Sequence, residues 1–311
     1  MIKYIARRML LMLPVMMGVT IIVFTLMYIT PGDPVDTLLS GEAQAVSEET
    51  REALREELGL NGTYFERLVR YVKGLLTGDM GFDYNTRVPV LTRIKETFPN
   101  TIKLALTGII FAVIFGVSLG VFAAVKQNTI WDTIASIIAL LGNAMPNFWV
   151  ALLLMLLFSY HLNVLPSIGY DSWKHMILPM IVVGTSSMAA IARMTRSSML
   201  EVIRADYITT ARSKGLKESA VILIHALPNA LIPVLTTIGI QFGHLLGGSV
   251  LTETVFAIPG MGSMMIKAIG ERNHHVVQGS VLLAALTLSV LNLLIDLLYA
   301  FVDPRIRSEY M

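Results

Sequence analysis

Six long apolar runs constrain what this chain can fold into. They cover residues 9–30, 102–125, 133–159, 176–192, 230–252 and 280–302. About twenty apolar residues in a helix cross the hydrocarbon core of a bilayer, and only a helix satisfies its own backbone hydrogen bonds in lipid. With 54% hydrophobic and 15% charged residues, the composition argues against a water-soluble enzyme. The sequence therefore predicts an all-α, polytopic membrane protein with six transmembrane helices.

The runs divide the chain into three predicted parts. Residues 1–30 form an N-terminal transmembrane helix, which we expect to be retained because its apolar run is longer than the core of a signal peptide. Residues 31–101 form an external loop with short amphipathic helices, one of them capped by Ser47. Residues 102–311 form a five-helix core with a cytoplasmic loop at 193–229. Gly142 and Pro146 predict a kink between Asn143 and Asn147.

The distribution of cations predicts the orientation. Lys and Arg near the chain termini and in the connections 126–132 and 193–229 number twelve, whereas the opposite short connections hold three. Short cationic connections stay on the cytoplasmic side of a membrane. Both termini and the 193–229 loop are therefore predicted to be cytoplasmic.

The sequence argues against nucleotide binding, nucleic-acid binding, metal binding and serine hydrolysis by this chain. The chain has no Gly-Lys dipeptide and hence no phosphate-binding P-loop, so any ATP must bind to another chain. A net charge of +2 argues against nucleic-acid binding, and zero cysteines with an isolated His274-His275 pair favour no metal site. Gly116, Ser118 and Gly120 match a serine-hydrolase elbow, but small residues every fourth position favour helix packing.

Polar residues inside the runs indicate a translocation path. Gln241, His244 and Thr252 follow helical spacing in the fifth run, and buried polar groups in a membrane face a bundle interior or a water path. Interhelical hydrogen bonding is the alternative. We assign Asn143 and Asn147, beside the predicted kink, to the same path. A secondary transporter would need an intramembrane carboxylate, for which Asp296 is the candidate.

The basic loop at 193–229 contains a short predicted helix from Arg204 to Lys214. Asp206 near its start and Arg212 near its end suit the helix dipole, and Gly215 is a natural helix stop. Such a loop can present a rigid helix to a groove in a partner protein.

This loop resembles the cytoplasmic signature of ABC importer permeases, which is Glu-Ala-Ala, three residues, Gly, nine residues, Ile, one residue, Leu-Pro. Here the register is Thr209-Thr210-Ala211, Gly215, His225 and Leu227-Pro228, so Thr209, Thr210 and His225 depart from it. The resemblance implies a coupling helix that docks on an ATPase. It assigns that coupling role to eight residues: Asp206, Tyr207, Thr209, Thr210, Ala211, Arg212, Gly215 and Leu216.

Motifs along the whole chain are similar to those of the dipeptide, oligopeptide and nickel permeases. They include Pro31-Gly32-Asp33-Pro34, Gly78-Asp79-Met80-Gly81, Pro99-Asn100-Thr101, Met145-Pro146-Asn147-Phe148-Trp149, Gly247-Gly248, residues 256–262 and Asp303-Pro304-Arg305. The resemblance implies a type I ABC importer permease fold in the cytoplasmic membrane of a prokaryote.

The same resemblance implies partners and a solute. A second similar permease, two P-loop ATPases that bind MgATP, and an extracytoplasmic solute-binding protein are expected, with no cofactor on this chain. Short peptides are the expected solute, and nickel or a metal chelate is the alternative.

Overall fold

The computed structural model describes residues 2–39 and 47–302, with backbone alone for residues 2–4 and 298–302. This part of the chain is helical, and its one β-bridge, Phe82 to Pro89, is isolated. The α-helices are α1 (Ile2–Ile29), α2 (Pro34–Leu38), α3 (Glu48–Glu57), α4 (Tyr64–Thr77), α5 (Val90–Val125), α6 (Ile130–Ala144), α7 (Asn147–Leu154), α8 (Lys174–Ile203), α9 (Asp206–Ser213), α10 (Glu218–Ala220), α11 (Leu227–Gly248), α12 (Val250–Val255), α13 (Met261–Gly270) and α14 (His274–Val302). Two π-helical turns, Met155–His161 and Val221–Ala226, continue α7 and lead into α11.

Five stretches of helix are long and apolar enough to cross a membrane, and α6 with α7 forms a sixth if the bent pair is one span. The all-α polytopic fold is therefore confirmed. The five unbroken spans are Ile5–Ile29, Val90–Val125, Lys174–Ile203, Glu218–Gly248 and His274–Leu297. The predicted kink is much sharper than a proline usually imposes, because the α6 and α7 axes differ by 106° across Met145-Pro146.

The predicted loop at 193–229 is mostly helical in the structure. Residues 193–203 continue α8, and residues 218–229 belong to α10, the second π-helical turn and α11. The apolar run appeared to end at Arg193 because sequence reading stops a span at its first cations. In the structure Arg196 pairs with the carboxylate of Asp132. Helix α8 therefore continues past Arg193 and Arg196 and ends at Ile203.

The chain forms two compact units. The described residues within Met1–Asn100 and Pro259–Ser289 form the first, and those within Thr101–Ile258 and Val290–Met311 form the second. In the first unit one buried cluster joins Met27, Val90, Ile94, Met264 and Val277. A second, smaller cluster contains Val35, Leu58 and Tyr84.

Local caps define the short helices of the first unit. The Ser47 side chain accepts from the Thr50 amide at the start of α3, as the sequence predicts. Thr63 and Glu66 form a reciprocal capping box at the start of α4, and Gly78 ends that helix with a left-handed φ of 80°.

The second unit is built around α8, which packs against α6, α7, α11 and α12. A stripe of small residues on α5 lets α8 approach closely. A Cβ added at Gly116 would lie 2.9 Å from the Met188 carbonyl oxygen, and one at Gly120 would lie 2.6 Å from that of Ala192. Ser118 lies within α5 and donates to the Ile114 carbonyl oxygen at 2.7 Å. The packing interpretation of this motif is therefore correct, and the hydrolase elbow is absent from it.

Candidate coupling segment and translocation path

Helix α9 is short and electrostatically matched to its dipole. Asp206 occupies its first turn and Arg212 its last turn. The structure begins the helix at Asp206, two residues after the predicted start at Arg204. Gly215 follows with a φ of 77°, which a residue with a Cβ adopts only under strain. Open space surrounds Gly215, so backbone conformation alone explains the glycine.

One face of α9 is anchored in the second unit. Ile208 is fully buried, and Ala211 is 9% exposed. They share an apolar cluster with the end of α8, the end of α5 and the start of α11, whose buried members are Ala124, Met199, Val221, Ile222, Ala226 and Ala230. Any displacement of α9 must therefore disturb packing at three longer helices.

The opposite face of α9 and the turn after it are exposed. Tyr207 is 47% exposed and Leu216 is 42% exposed. The other exposed residues assigned to coupling are Asp206, Thr209, Thr210, Arg212 and Gly215. Ala211 alone among the eight points into the cluster, so its small size serves packing rather than surface contact.

An ion pair closes the turn between α9 and α10. Arg212 donates to the two carboxylate oxygens of Glu218, with Nε to Oε2 at 3.1 Å and Nη2 to Oε1 at 2.7 Å. This bidentate geometry fixes the direction of the Arg212 side chain more firmly than a single contact would. Sequence reading assigned Arg212 to the helix dipole and missed Glu218 as its partner.

The two path asparagines flank the sharp bend. Asn143 is exposed near the end of α6, and Asn147 is half-buried at the start of α7. Between them Met145 has extended backbone and Pro146 caps α7. A residue before proline is restricted to such extended conformations, which explains why the helix ends here.

The predicted polar stripe from Gln241 to Thr252 is interrupted. Gln241 is half-buried and His244 is exposed on α11, whereas Thr252 lies on α12 and is 1% exposed. The two helices are divided at Ser249, and the exposed His244 and the buried Thr252 differ in their surroundings. The Thr252 hydroxyl has no hydrogen-bond partner among the described residues. Thr252 is thus placed in the packed interior of the second unit.

Sequence reading missed a buried carboxylate beside Thr252. Glu253 is completely buried and accepts hydrogen bonds from the Thr101 hydroxyl at 2.7 Å and the Ser249 hydroxyl at 3.0 Å. It ties the beginning of the apolar part of α5 to α12. An acidic residue at the end of an apolar run was the available signal.

A second missed contact joins α6 to α8. The Arg196 guanidinium donates to both carboxylate oxygens of Asp132 at 2.7 Å, and the Asp132 side chain is 8% exposed. Arg196 was counted only as a topogenic cation. A cation within a helix and an acidic residue in the first turn of another were the signals for this pair.

The histidine pair lies in the first unit. His275 contacts the Phe82 carbonyl oxygen at 3.2 Å, and both rings pack near Tyr84. Among the described residues, no three His, Asp or Glu side chains form a group suited to a metal ion.

Two families match successive parts of the chain. Residues 116–308 match the family described as "Binding-protein-dependent transport system inner membrane component". Residues 1–105 match the corresponding N-terminal family of membrane components of binding-protein-dependent transport systems.

Curated relatives align over nearly the whole chain. The dipeptide transport system permease protein DppB of Alkalihalophilus pseudofirmus is 42% identical over 99% of this chain and 100% of its own length. The protein of the same description from Escherichia coli K12 is 41% identical with the same coverage. The glutathione transport system permease protein GsiC of Escherichia coli K12 is 39% identical, again with that coverage.

Solved structures share the fold at low identity. The MetNI methionine ABC transporter in an inward-facing conformation aligns with a TM-score of 0.59 at 18% identity, covering 68% of this chain and 97% of that one. An amino acid ABC transporter solved with histidines aligns with a TM-score of 0.54 at 14% identity, covering 68% and 94%. These likenesses concern the fold alone.

Proposed function

The chain belongs to the family of inner membrane components of binding-protein-dependent transport systems, and we propose that it translocates short peptides as one permease subunit of an ATP-driven importer. It is a multi-pass membrane protein and a transport subunit rather than an enzyme. ATP hydrolysis in such systems resides on partner chains.

The proposed solute class is supported by sequence identity to permeases whose names specify peptides. Proteins described as dipeptide permeases match at 41–42% over their full length, and a glutathione permease, whose solute is itself a tripeptide, matches at 39%. Short peptides are the solute class common to these descriptions. Import of nickel or a metal chelate is the alternative that competition experiments must test.

We assign the coupling role to α9 because it combines a buried anchor with an exposed face. Ile208 and Ala211 fix it to the second unit, while Tyr207 and Leu216 leave apolar surface available to a partner. ATP binding to two partner ATPases would bias the permease between inward-open and outward-open states, because MgATP favours the closed ATPase dimer. Movement of α9 would be passed to α5, α8 and α11 through their shared cluster.

The proposed assembly contains a second similar permease, two ATPases and an extracytoplasmic solute-binding protein. The cation distribution supports an orientation with both termini and α9 on the cytoplasmic side. In this orientation residues 31–101 face the binding protein. Asn143, Asn147, Gln241 and His244 remain our candidates for the solute path, because each has exposed or half-buried surface. Thr252 is buried and is therefore the weakest of the five candidates.

Purification and uptake test the proposal together. We expect a tagged chain to co-purify with a P-loop ATPase and, in proteoliposomes supplied with ATP and binding protein, to support uptake of labelled dialanine. Unlabelled dipeptide should compete and a nickel chelate should not. Competition by the nickel chelate alone would overturn the peptide assignment, and uptake without ATPase chains would overturn the ABC mechanism.

A single substitution tests the proposed coupling role of α9. Tyr207→Ala removes exposed surface from α9 without touching the buried cluster. It should lower solute-stimulated ATPase activity severalfold at unchanged melting temperature of the isolated chain. Thr37→Ala, in α2 of the first unit, is the control and should leave that activity unchanged.

A further inference from the structure

A cavity in the first unit contains two polar groups for which the described residues supply neither a hydrogen-bond acceptor nor a counter-ion. Its volume is about 230 Å³, and it opens between α1, α3, α4, the turn around Tyr84, and the start of α14. This equals the space of roughly eight water molecules, below the size of sites for drug-like ligands. Its apolar walls are formed largely by Phe24, Leu58, Tyr71 and Phe82.

The Tyr84 hydroxyl is the first unsatisfied group. Tyr84 lines the cavity and is 2% exposed, and its hydroxyl oxygen has no hydrogen-bond partner among the described residues. Burial raises the pKa of this hydroxyl above its ordinary value, so the group is a protonated donor at neutral pH. A buried hydroxyl without a partner is unfavourable, and a ligand that accepts its hydrogen bond would remove that cost.

Arg67 supplies the charge. It is half-buried on α4, its guanidinium lies 5.2 Å from the centre of the Tyr28 ring, and burial lowers its pKa from the ordinary arginine value. No described carboxylate forms an ion pair with it. Two carboxylates, those of Glu57 and Asp79, also line the cavity, but both have other partners: Glu57 pairs with Arg87, and Asp79 accepts from the Gly81 amide. Asp33, outside the cavity lining, pairs with Arg55.

The second arginine of the cavity is already occupied, since Arg70 donates to the Gly59 carbonyl oxygen at 3.2 Å. The cavity therefore contains one guanidinium without a counter-ion and one donor without an acceptor. An arginine fork matches a carboxylate in bidentate geometry, and the aromatic walls suit a small apolar body. A cation would meet an unpaired positive charge here.

We propose that this cavity binds the carboxylate of a small organic acid through the Arg67 guanidinium and the Tyr84 hydroxyl. The imidazole of His274, which also lines the cavity, packs 6.4 Å from the Tyr84 ring, centre to centre, and borders the bound acid. The site lies wholly within the first unit, and it does not depend on which solute the transporter carries. In the proposed orientation it is an extracytoplasmic site.

Ligand-observed fluorine NMR on the purified full-length chain in detergent tests the site, with trifluoropropionate as the probe. The wild-type chain should broaden the probe signal, and propionate should reverse the broadening whereas propionamide should not. Tyr84→Phe removes a single oxygen and should weaken binding by roughly three- to tenfold. Arg67→Ala should abolish binding.

Lys73→Ala is the matched control, because Lys73 is an exposed cation on the same helix but does not line the cavity. It should bind like the wild type. Tyr84→Phe keeps the ring that packs in the cluster with Val35 and Leu58, so its melting temperature should not fall. Absence of broadening by the wild type, unchanged binding by Tyr84→Phe and Arg67→Ala, or equal competition by chloride would each overturn the proposal.

Discussion

At the scale of single residues, the second unit provides hydrogen-bond donors to its buried acidic side chains. Asp132 receives both donors of the Arg196 fork, and Glu253 receives two hydroxyls. Removing one partner from such a pair leaves the other charge unpaired, which costs more than the intact pair contributes. We therefore expect the Asp132–Arg196 pair to matter for stability.

Asp132→Asn tests this asymmetry. The change should destabilise the chain by about 2 kcal/mol, less than for a fully buried pair because Arg196 is one-third exposed. Thermal unfolding in detergent measures it. The double variant Asp132→Leu with Arg196→Met should recover much of the loss, and a double variant less stable than Asp132→Asn would contradict the argument.

Asp33 gives a pH dependence to the first unit. Burial raises its pKa, but the Val35 amide and the Arg55 guanidinium outweigh that effect and hold the pKa below the ordinary value of 3.8. Unfolded Asp33 therefore binds a proton at higher pH than folded Asp33 does. The stability that it contributes is complete well above pH 3.8 and is lost as the pH falls through the lowered pKa.

Hydrogen exchange of the α2 and α3 amides measures this effect. Their protection should decrease as the pH is lowered from about 5 to 3, after correction for intrinsic exchange rates. Asp33→Asn should show low protection already at the higher pH and a flatter profile. Glu49→Gln, which alters an exposed carboxylate on α3, serves as the control; an unchanged profile in Asp33→Asn would remove Asp33 as the cause.

At the scale of helices, close approach between α5 and α8 depends on missing side chains. Gly108, Gly116 and Gly120 recur at spacings of eight and four, and each meets α8 where a Cβ would collide. Without a hydrophobic force between helices in lipid, such van der Waals contact supplies much of the association energy.

Gly120→Val therefore separates the helices. We expect a loss of about 1–3 kcal/mol, since the new side chain meets the Ala192 carbonyl and the Thr195 side chain. Gly247→Ala is the control, because open space surrounds its Cβ position. Melting temperatures of the two variants in one detergent make the comparison; equal values would contradict the packing role.

Helix existence could be predicted from the sequence more reliably than helix ends or breaks. Apolar length identified the spans, and the α5 glycine stripe was interpreted correctly as packing. The end of α8 was missed because Arg196 is tolerated only through Asp132, 64 positions away. The hydrogen bond from Ser249 to buried Glu253 was missed because hydropathy does not report such pairing.

At the scale of the whole molecule, the two compact units differ from a simple sequential division. The first combines residues from the beginning of the chain with α13 and the first part of α14, while the second holds α9 and its anchoring helices. Sequence patterns define segments in order, so they could not show that Asn273 donates to Asp83 across 190 positions. For the same reason, the sequence could not show that Arg67 and Tyr84 line one cavity.

Orientation is testable because the chain contains no cysteine. Ser213→Cys places one exposed thiol at the end of α9, and Glu49→Cys places one on α3. In intact spheroplasts a membrane-impermeant maleimide should label Cys-substituted position 49 and spare position 213 until the membrane is opened. The reverse pattern would invert the proposed topology.

The buried apolar cluster beneath α9 limits how chimaeras of such transporters can be designed. Ile208 and Ala211 fit a surface made by the ends of three longer helices, so a transplanted α9 whose inward residues differ in volume would sit badly on its new host. If α9 couples to an ATPase as we propose, a chimaera designed to work with a foreign ATPase should exchange only the outward residues of α9 and keep Ile208 and Ala211. Exchanging the whole of α9 would disturb the packing of the permease, so its choice of ATPase could not be assessed.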